Sequence, residues 1–204
     1  MLPGRTHAET TISDETLALR ARSGARSAFA ALVERYQDRV YRLTLRLVHN
    51  ASDAEEVTQE TFLLAHRSIA SFHGESRFWT WLYRIAVNCA LMRRRSARRH
   101  PVQSLEVTGP SGERLERTVA EPLDGADELV HRKMLAQRVR AALAGLDESQ
   151  RAAVVLRDLE GMSSEDAADI LGVTAEVVRQ RAHRARLRLR EQLADLLRQR
   201  SGDG

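Results

Sequence analysis

The sequence predicts an all-α fold, two small helical domains joined by a flexible linker, and three observations carry that prediction. Of four prolines, Pro3 lies near the N-terminus while Pro101, Pro110 and Pro122 cluster in one stretch. Residues 4–100 and 123–204 therefore lack the residue that breaks helices most strongly. Apolar residues recur at helical steps on both sides of that stretch, and no segment reads convincingly as a strand. Residues 100–127 add Gly109, Gly112 and Gly125, lose the periodicity, and run longer than most loops within a domain.

The elements follow in order. Residues 1–13 read as a disordered tail, and a first helix is expected over 14–22, ending at the turn marked by Gly24. Phe29, Leu32, Val33, Tyr36, Val40, Leu43 and Leu47 then hold helical spacing. Asp53 is suited to cap the next helix, with Glu55 and Glu56 favourably placed in its first turn. That helix passes through Val57, Leu64 and Ala65 towards Ile69. Gly74 breaks the pattern before a long helix over 77–99, which closes a first domain at 14–99. Beyond the linker at 100–127, helices are expected near 128–144, 148–160, 163–171 and 175–198, separated by Gly145, Gly161 and Gly172. They form a second domain at 128–198, followed by a tail at 199–204. All nine aromatic residues, Phe29 to Tyr83, fall in the first domain, so the second packs with aliphatic side chains alone.

Composition excludes several functions. Hydrophobic residues make up 43% of the 204 and charged residues 29%, a soluble globular balance. No apolar run approaches the roughly 18 residues that span a bilayer, and the N-terminal residues lack the order of a signal peptide, so no membrane insertion is expected. One cysteine, Cys89, rules out an internal disulfide framework and a Cys-based zinc site. The expected compartment is the reducing cytoplasm. His66, His73, His100 and Cys89 form no metal-ligand spacing, and there is no phosphate-binding glycine loop. Neither a cofactor nor catalysis is expected, and Cys89 reads as a small core residue.

Charge is the informative property. The chain carries +4, with 32 basic against 28 acidic residues, and Lys133 is the sole lysine. From Val48 to His66 there are four acids (Asp53, Glu55, Glu56, Glu60) and no Lys or Arg. Residues 76–100 hold seven arginines and no acid, and residues 177–190 hold six arginines, His183 and no acid. A charge run is usually a solvated face. Two acid-free arginine runs, one per domain, instead suggest two footprints for a polyanion, and the acidic helix suggests a basic protein partner.

The strongest local pattern is a helix-turn-helix over 163–193. Ser163 caps a helix with Asp166 three positions on, Gly172 supplies the turn, and Thr174 caps the next helix. On that second helix Val178, Ala182, Ala185, Leu189, Leu193 and Leu196 form an apolar stripe. Arg179, Gln180, Arg181, His183 and Arg184 point elsewhere, in the N-terminal half where readers of such motifs contact bases. Arginine suits guanine and glutamine suits adenine. Arg186, Arg188 and Arg190 lie further along and suit phosphates.

Both halves resemble bacterial RNA polymerase sigma factors of the extracytoplasmic-function (ECF, group IV) type, in the sigma-70 superfamily. Residues 28–41, AFAALVERYQDRVY, and 53–88, DAEEVTQETFLLAHRSIASFHGESRFWTWLYRIAVN, resemble the sigma-2 domain. Residues 142–173 resemble the sigma-4 domain. The resemblance implies a protein that binds core RNA polymerase and directs promoter-specific initiation by reading −35 and −10 elements and helping to open the promoter. It implies that the helix with Asp53, Glu56, Gln59, Glu60 and Phe62 docks on the clamp helices of the beta-prime subunit, and that Asp158–Leu171 faces the beta flap. It implies that Phe72, His73, Gly74, Glu75 and Ser76 form the loop capturing a flipped −10 base. Arg77, Trp79 and Arg84 then lie on the helix along the promoter. Phe72 and Trp79 suit either base stacking or the core, whereas Trp81 suits the core. The −35 role falls to Thr174, Glu176, Arg179, Gln180, Arg181, His183 and Arg184. Glu176 and Val177 replace a common glycine-threonine pair, which points to an unusual −35 preference. The family also implies an anti-sigma factor as partner. The rival reading is a helix-turn-helix regulator that acts without polymerase.

Overall fold

The computed structural model describes residues 12–99 and 126–201, and no strand occurs among them. Most of the expected linker and most of the N-terminal tail lie outside the described residues.

Four helices build the first domain: α1 (Asp14–Arg22), α2 (Arg26–Val48), α3 (Ala51–Ser68) and α4 (Phe78–Arg99). Ser13 accepts from the Thr16 amide at the start of α1, so order extends back into the expected tail. Asp14 fastens α1 to α2 through Arg35 at 2.7 Å and through the Tyr36 hydroxyl. Leu32, Val40, Leu43 and Leu47 of α2 and Phe78 and Leu82 of α4 are almost wholly buried between these helices. The expected cap of α3 is corrected: Asn50, not Asp53, receives an amide, that of Asp53 itself, at 3.0 Å. The physical reason is His49, whose φ of 65° turns the chain left-handed and starts α3 early.

His49 is half-buried, with Arg94 and Arg151 nearby, and its Nε2 has no hydrogen-bond partner. Burial, reinforced by the Arg151 and Arg94 guanidinium groups, depresses its pKa from 6.5 to about 3. Between those values the unfolded chain binds a proton that the folded chain refuses, so stability falls as pH falls. In urea titrations across that window, His49→Asn, which tolerates the left-handed conformation, is expected to lose less stability than the parent. Parallel losses would show that His49 is not the responsible group.

The second domain comprises α5 (Ala126–Ala144), α6 (Glu148–Val154), α7 (Ser164–Leu171) and α8 (Ala175–Ser201). The helix expected over 148–160 changes character at Val155, where a π-type segment reaches Leu159. Gly172 closes α7 at φ 64°, a conformation in which an L side chain would be strained. One contiguous buried cluster includes Phe78 and Leu82 of the first domain and Leu156, Ala167, Ile170 and Val178 of the second. The domains therefore share a core, with α7 against α4.

Candidate nucleic-acid interface

Helix α8 is set by its apolar stripe. Val178, Ala182 and Ala185 are fully buried, which turns Arg179, Gln180, His183 and Arg184 to solvent and leaves Arg181 half-buried. Thr174 accepts from the Val177 amide at 3.3 Å, and Ser163 accepts from the Asp166 amide at 2.9 Å. Both caps anticipated for the helix-turn-helix are thus formed.

The exposed groups are not equivalent. Glu176 accepts from Arg179 Nη2 at 2.9 Å, Arg179 Nε at 3.2 Å and Gln180 Nε2 at 3.3 Å. These contacts hold the Glu176 carboxyl below its usual range. Two side chains expected to read bases are thereby tied to a third. Arg186, expected on phosphate, forms a bidentate pair with Asp158 at 2.7 and 2.8 Å. His183, Arg184, Arg188 and Arg190 are exposed and meet no described carboxylate.

In the first domain, Gly74 at φ 79° bends the loop between α3 and α4. His73, Gly74 and Glu75 are exposed and Ser76 is half-exposed. Phe72 is not on that surface: at 2% exposure it meets Phe78 edge-on, with centroids 5.7 Å apart. Its expected place in the base-capturing surface is therefore corrected to one in the core. Trp81 leans on the same rings, while Trp79 is half-buried and meets Tyr83 edge-on at 6.1 Å.

The seven arginines around α4 point in several directions. Arg93 binds Asp53 at 2.6 Å and Glu56 at 3.0 Å on α3. Arg94 and Arg98 reach Glu148 of the second domain. Arg77, Arg84, Arg95 and Arg99 are exposed and meet no described carboxylate. On α3, Glu55, Gln59 and Glu60 face solvent beside Glu56, and Phe62 is partly buried against the core. Asp53 is thus largely engaged within the chain, whereas Glu60 is open.

Comparison with known proteins decides between the readings. The model of Sigma-70 region 2 matches residues 32–100, and that of Sigma-70 region 4 matches residues 136–189. The chain is 36% identical to the ECF RNA polymerase sigma-E factor of Haemophilus influenzae, over 91% of this chain and 98% of that one. The chain belongs to the ECF sigma factors. Among solved structures this sigma factor is similar to CnrH in complex with the cytosolic domain of CnrY, with TM-score 0.66, 27% identity and 89% and 97% of the two chains covered. It is also similar to the sigma factor RpoE of Bartonella quintana in complex with the anti-sigma factor NepR. That likeness has TM-score 0.60 and 25% identity, with 81% and 96% covered.

Two groups escaped sequence reasoning. Arg151 of this sigma factor is 1% exposed and donates to the carbonyls of Leu143, Ala144 and Leu146 at 2.6–2.8 Å. Burial lowers its pKa to about 10, so it stays charged at neutral pH. Its signal was an arginine set directly before the apolar run AAVVL. The second is an apolar groove of about 290 Å³ lined by Val139, Val154, Leu159 and Leu189, with the Asp158–Arg186 pair beside it. No helix among the described residues is long and apolar enough to cross a membrane, and none of their His, Cys, Asp or Glu side chains cluster as metal ligands.

Proposed function

We propose that this sigma factor docks on core polymerase through α3, opens the −10 element with the Gly74 loop and α4, and reads the −35 element with α8. One observation carries the reading: two exposed arginine surfaces, on α4 and α8, occur in the same chain as an α3 that holds four acids and no Lys or Arg from Ala51 to His66. Arg77, Arg84, Arg95 and Arg99 hold the separated strand electrostatically while His73, Gly74, Glu75 and Ser76 offer an open loop to the unstacked base. Phe72 supports that loop from the core. On α8, His183 and Arg184 face bases, with Arg181 beside them. Thr174 fixes the helix start, and Glu176 sets the orientation of Arg179 and Gln180.

The apolar groove beside Asp158 and Leu159 receives the beta flap. An anti-sigma factor is the further protein partner, a reading supported by the RpoE–NepR complex. The chain supplies specificity and the polymerase supplies chemistry. Burial raises the pKa of the Cys89 thiol, which suits a core residue and not a nucleophile.

Glu60 is the cleanest probe of polymerase docking, because it is exposed and meets no described basic group. Glu60→Arg is expected to weaken binding to core polymerase roughly tenfold, about 1.4 kcal/mol. Affinity measured by fluorescence anisotropy against core enzyme, unchanged in Glu60→Arg, would remove α3 from the docking surface.

A further inference from the structure

At the start of α8 the two side chains best suited to grip bases are already occupied. Glu176 lies in the first turn, where the helix dipole favours a carboxylate. Its Oε2 accepts from Arg179 Nη2 and Nε at 2.9 and 3.2 Å, and its Oε1 accepts from Gln180 Nε2 at 3.3 Å. Arg179 Nη1 lies 3.5 Å from Glu165 Oε1 of α7. A guanine edge needs two parallel N–H groups from one side of a guanidinium. Glu176 holds the Nε/Nη2 side of Arg179 and Glu165 faces the Nη1 end, so neither side is free. Gln180 has committed a donor of the amide that would grip adenine. The carboxylate is the open group. Glu176 has a side-chain exposure of 62%, and its contacts take three of the roughly four acceptor sites a carboxylate offers, leaving one on Oε1.

We propose that Glu176 is the base-reading group at the start of α8 and selects cytosine, with Arg179 and Gln180 as the residues that position and neutralise its carboxylate. The proposal rests on the assignment of α8 to the −35 element above. An ionised carboxylate only accepts hydrogen bonds, so in the major groove it is rewarded by a base amino group alone. Two bases offer one there, cytosine at N4 and adenine at N6. Adenine sets its N7 acceptor beside N6, which repels a carboxylate, whereas cytosine presents no acceptor of its own in that groove. A carboxylate entering the groove also meets the phosphates, and Arg179 carries the compensating charge in with it. Gln180 fixes the other oxygen. His183 and Arg184, which meet no described carboxylate, remain free for other positions of the element.

The test selects duplexes from a randomised library with the full chain, alone and with core polymerase, and sequences what is retained. It compares the parent, Glu176→Gln, Glu176→Ala and Arg179→Ala. The parent is expected to enrich cytosine at one position by at least about fivefold. Glu176→Gln keeps an acceptor and adds a donor, the pair that suits adenine. It is therefore expected to move the preference at that position alone from cytosine to adenine. Glu176→Ala is expected to erase the preference there and leave the other positions as they were. Arg179→Ala is expected to weaken the cytosine preference about threefold without removing a guanine preference elsewhere. A cytosine preference unchanged in both Glu176 variants, or none in the parent, would overturn the proposal. So would a uniform gain in affinity on every sequence in Glu176→Ala, which marks simple relief of phosphate repulsion, or a guanine preference lost only in Arg179→Ala. Selection by the free chain combined with failure to bind core polymerase would instead overturn the sigma reading, and the base preference of each variant would still be read.

Discussion

Replacing Arg151 with methionine is expected to destabilise the second domain by roughly 3 kcal/mol or more, because each buried carbonyl left without its donor costs about 1–3 kcal/mol. Arg151 gathers the Leu143, Ala144 and Leu146 carbonyls, which end α5 and lead into α6. Methionine fills much of the volume but donates nothing. Against a total of about 5–15 kcal/mol for a domain, such a loss lowers the folded population sharply near physiological temperature. Urea unfolding followed by circular dichroism reads it directly. A change below about 1 kcal/mol would mean that water or a shifted backbone satisfies those carbonyls. Activity on −35-dependent promoters is expected to fall with the folded fraction.

The second large effect concerns base reading. Arg184 is exposed on α8 and meets no described carboxylate, so its guanidinium is available to a guanine edge. Arg184→Ala is expected to cost roughly 1–3 kcal/mol on the preferred −35 sequence and to relax selectivity at one position. Arg179→Ala is expected to cost less, because that guanidinium is already shared with Glu176 and must leave it to reach a base. Run-off yields from promoters randomised through the −35 element separate the two. Equal loss on every variant sequence would make Arg184 a phosphate contact.

Much of this was legible in the sequence for identifiable reasons. The long helices followed from proline-free windows with an apolar stripe, and their ends followed wherever glycine or a capping hydroxyl marked them, as at Ser163, Gly172 and Thr174. The start of α3 was missed because a histidine, not a glycine, adopts the left-handed conformation before it. Phe72 was ambiguous because an aromatic beside an exposed loop suits the core and the surface equally. Its burial depends on Phe78 and Trp81, which only the fold brings around it. The partners of individual charges were the least legible feature. Arg186 and Arg188 look alike in sequence, yet Asp158, 28 residues before Arg186, engages only the former. The ion pairs of Glu148 with Arg94 and of Glu160 with Arg46 span 54 and 114 residues, beyond any periodicity argument.

The central claim is that this chain confers promoter specificity on a polymerase. Run-off transcription with core RNA polymerase on genomic fragments, with and without the protein, tests it most directly. Discrete new transcripts whose upstream regions share a −35/−10 pattern are the predicted result. Identical transcripts with and without the protein, in a reaction where it also fails to bind core enzyme, would contradict the claim.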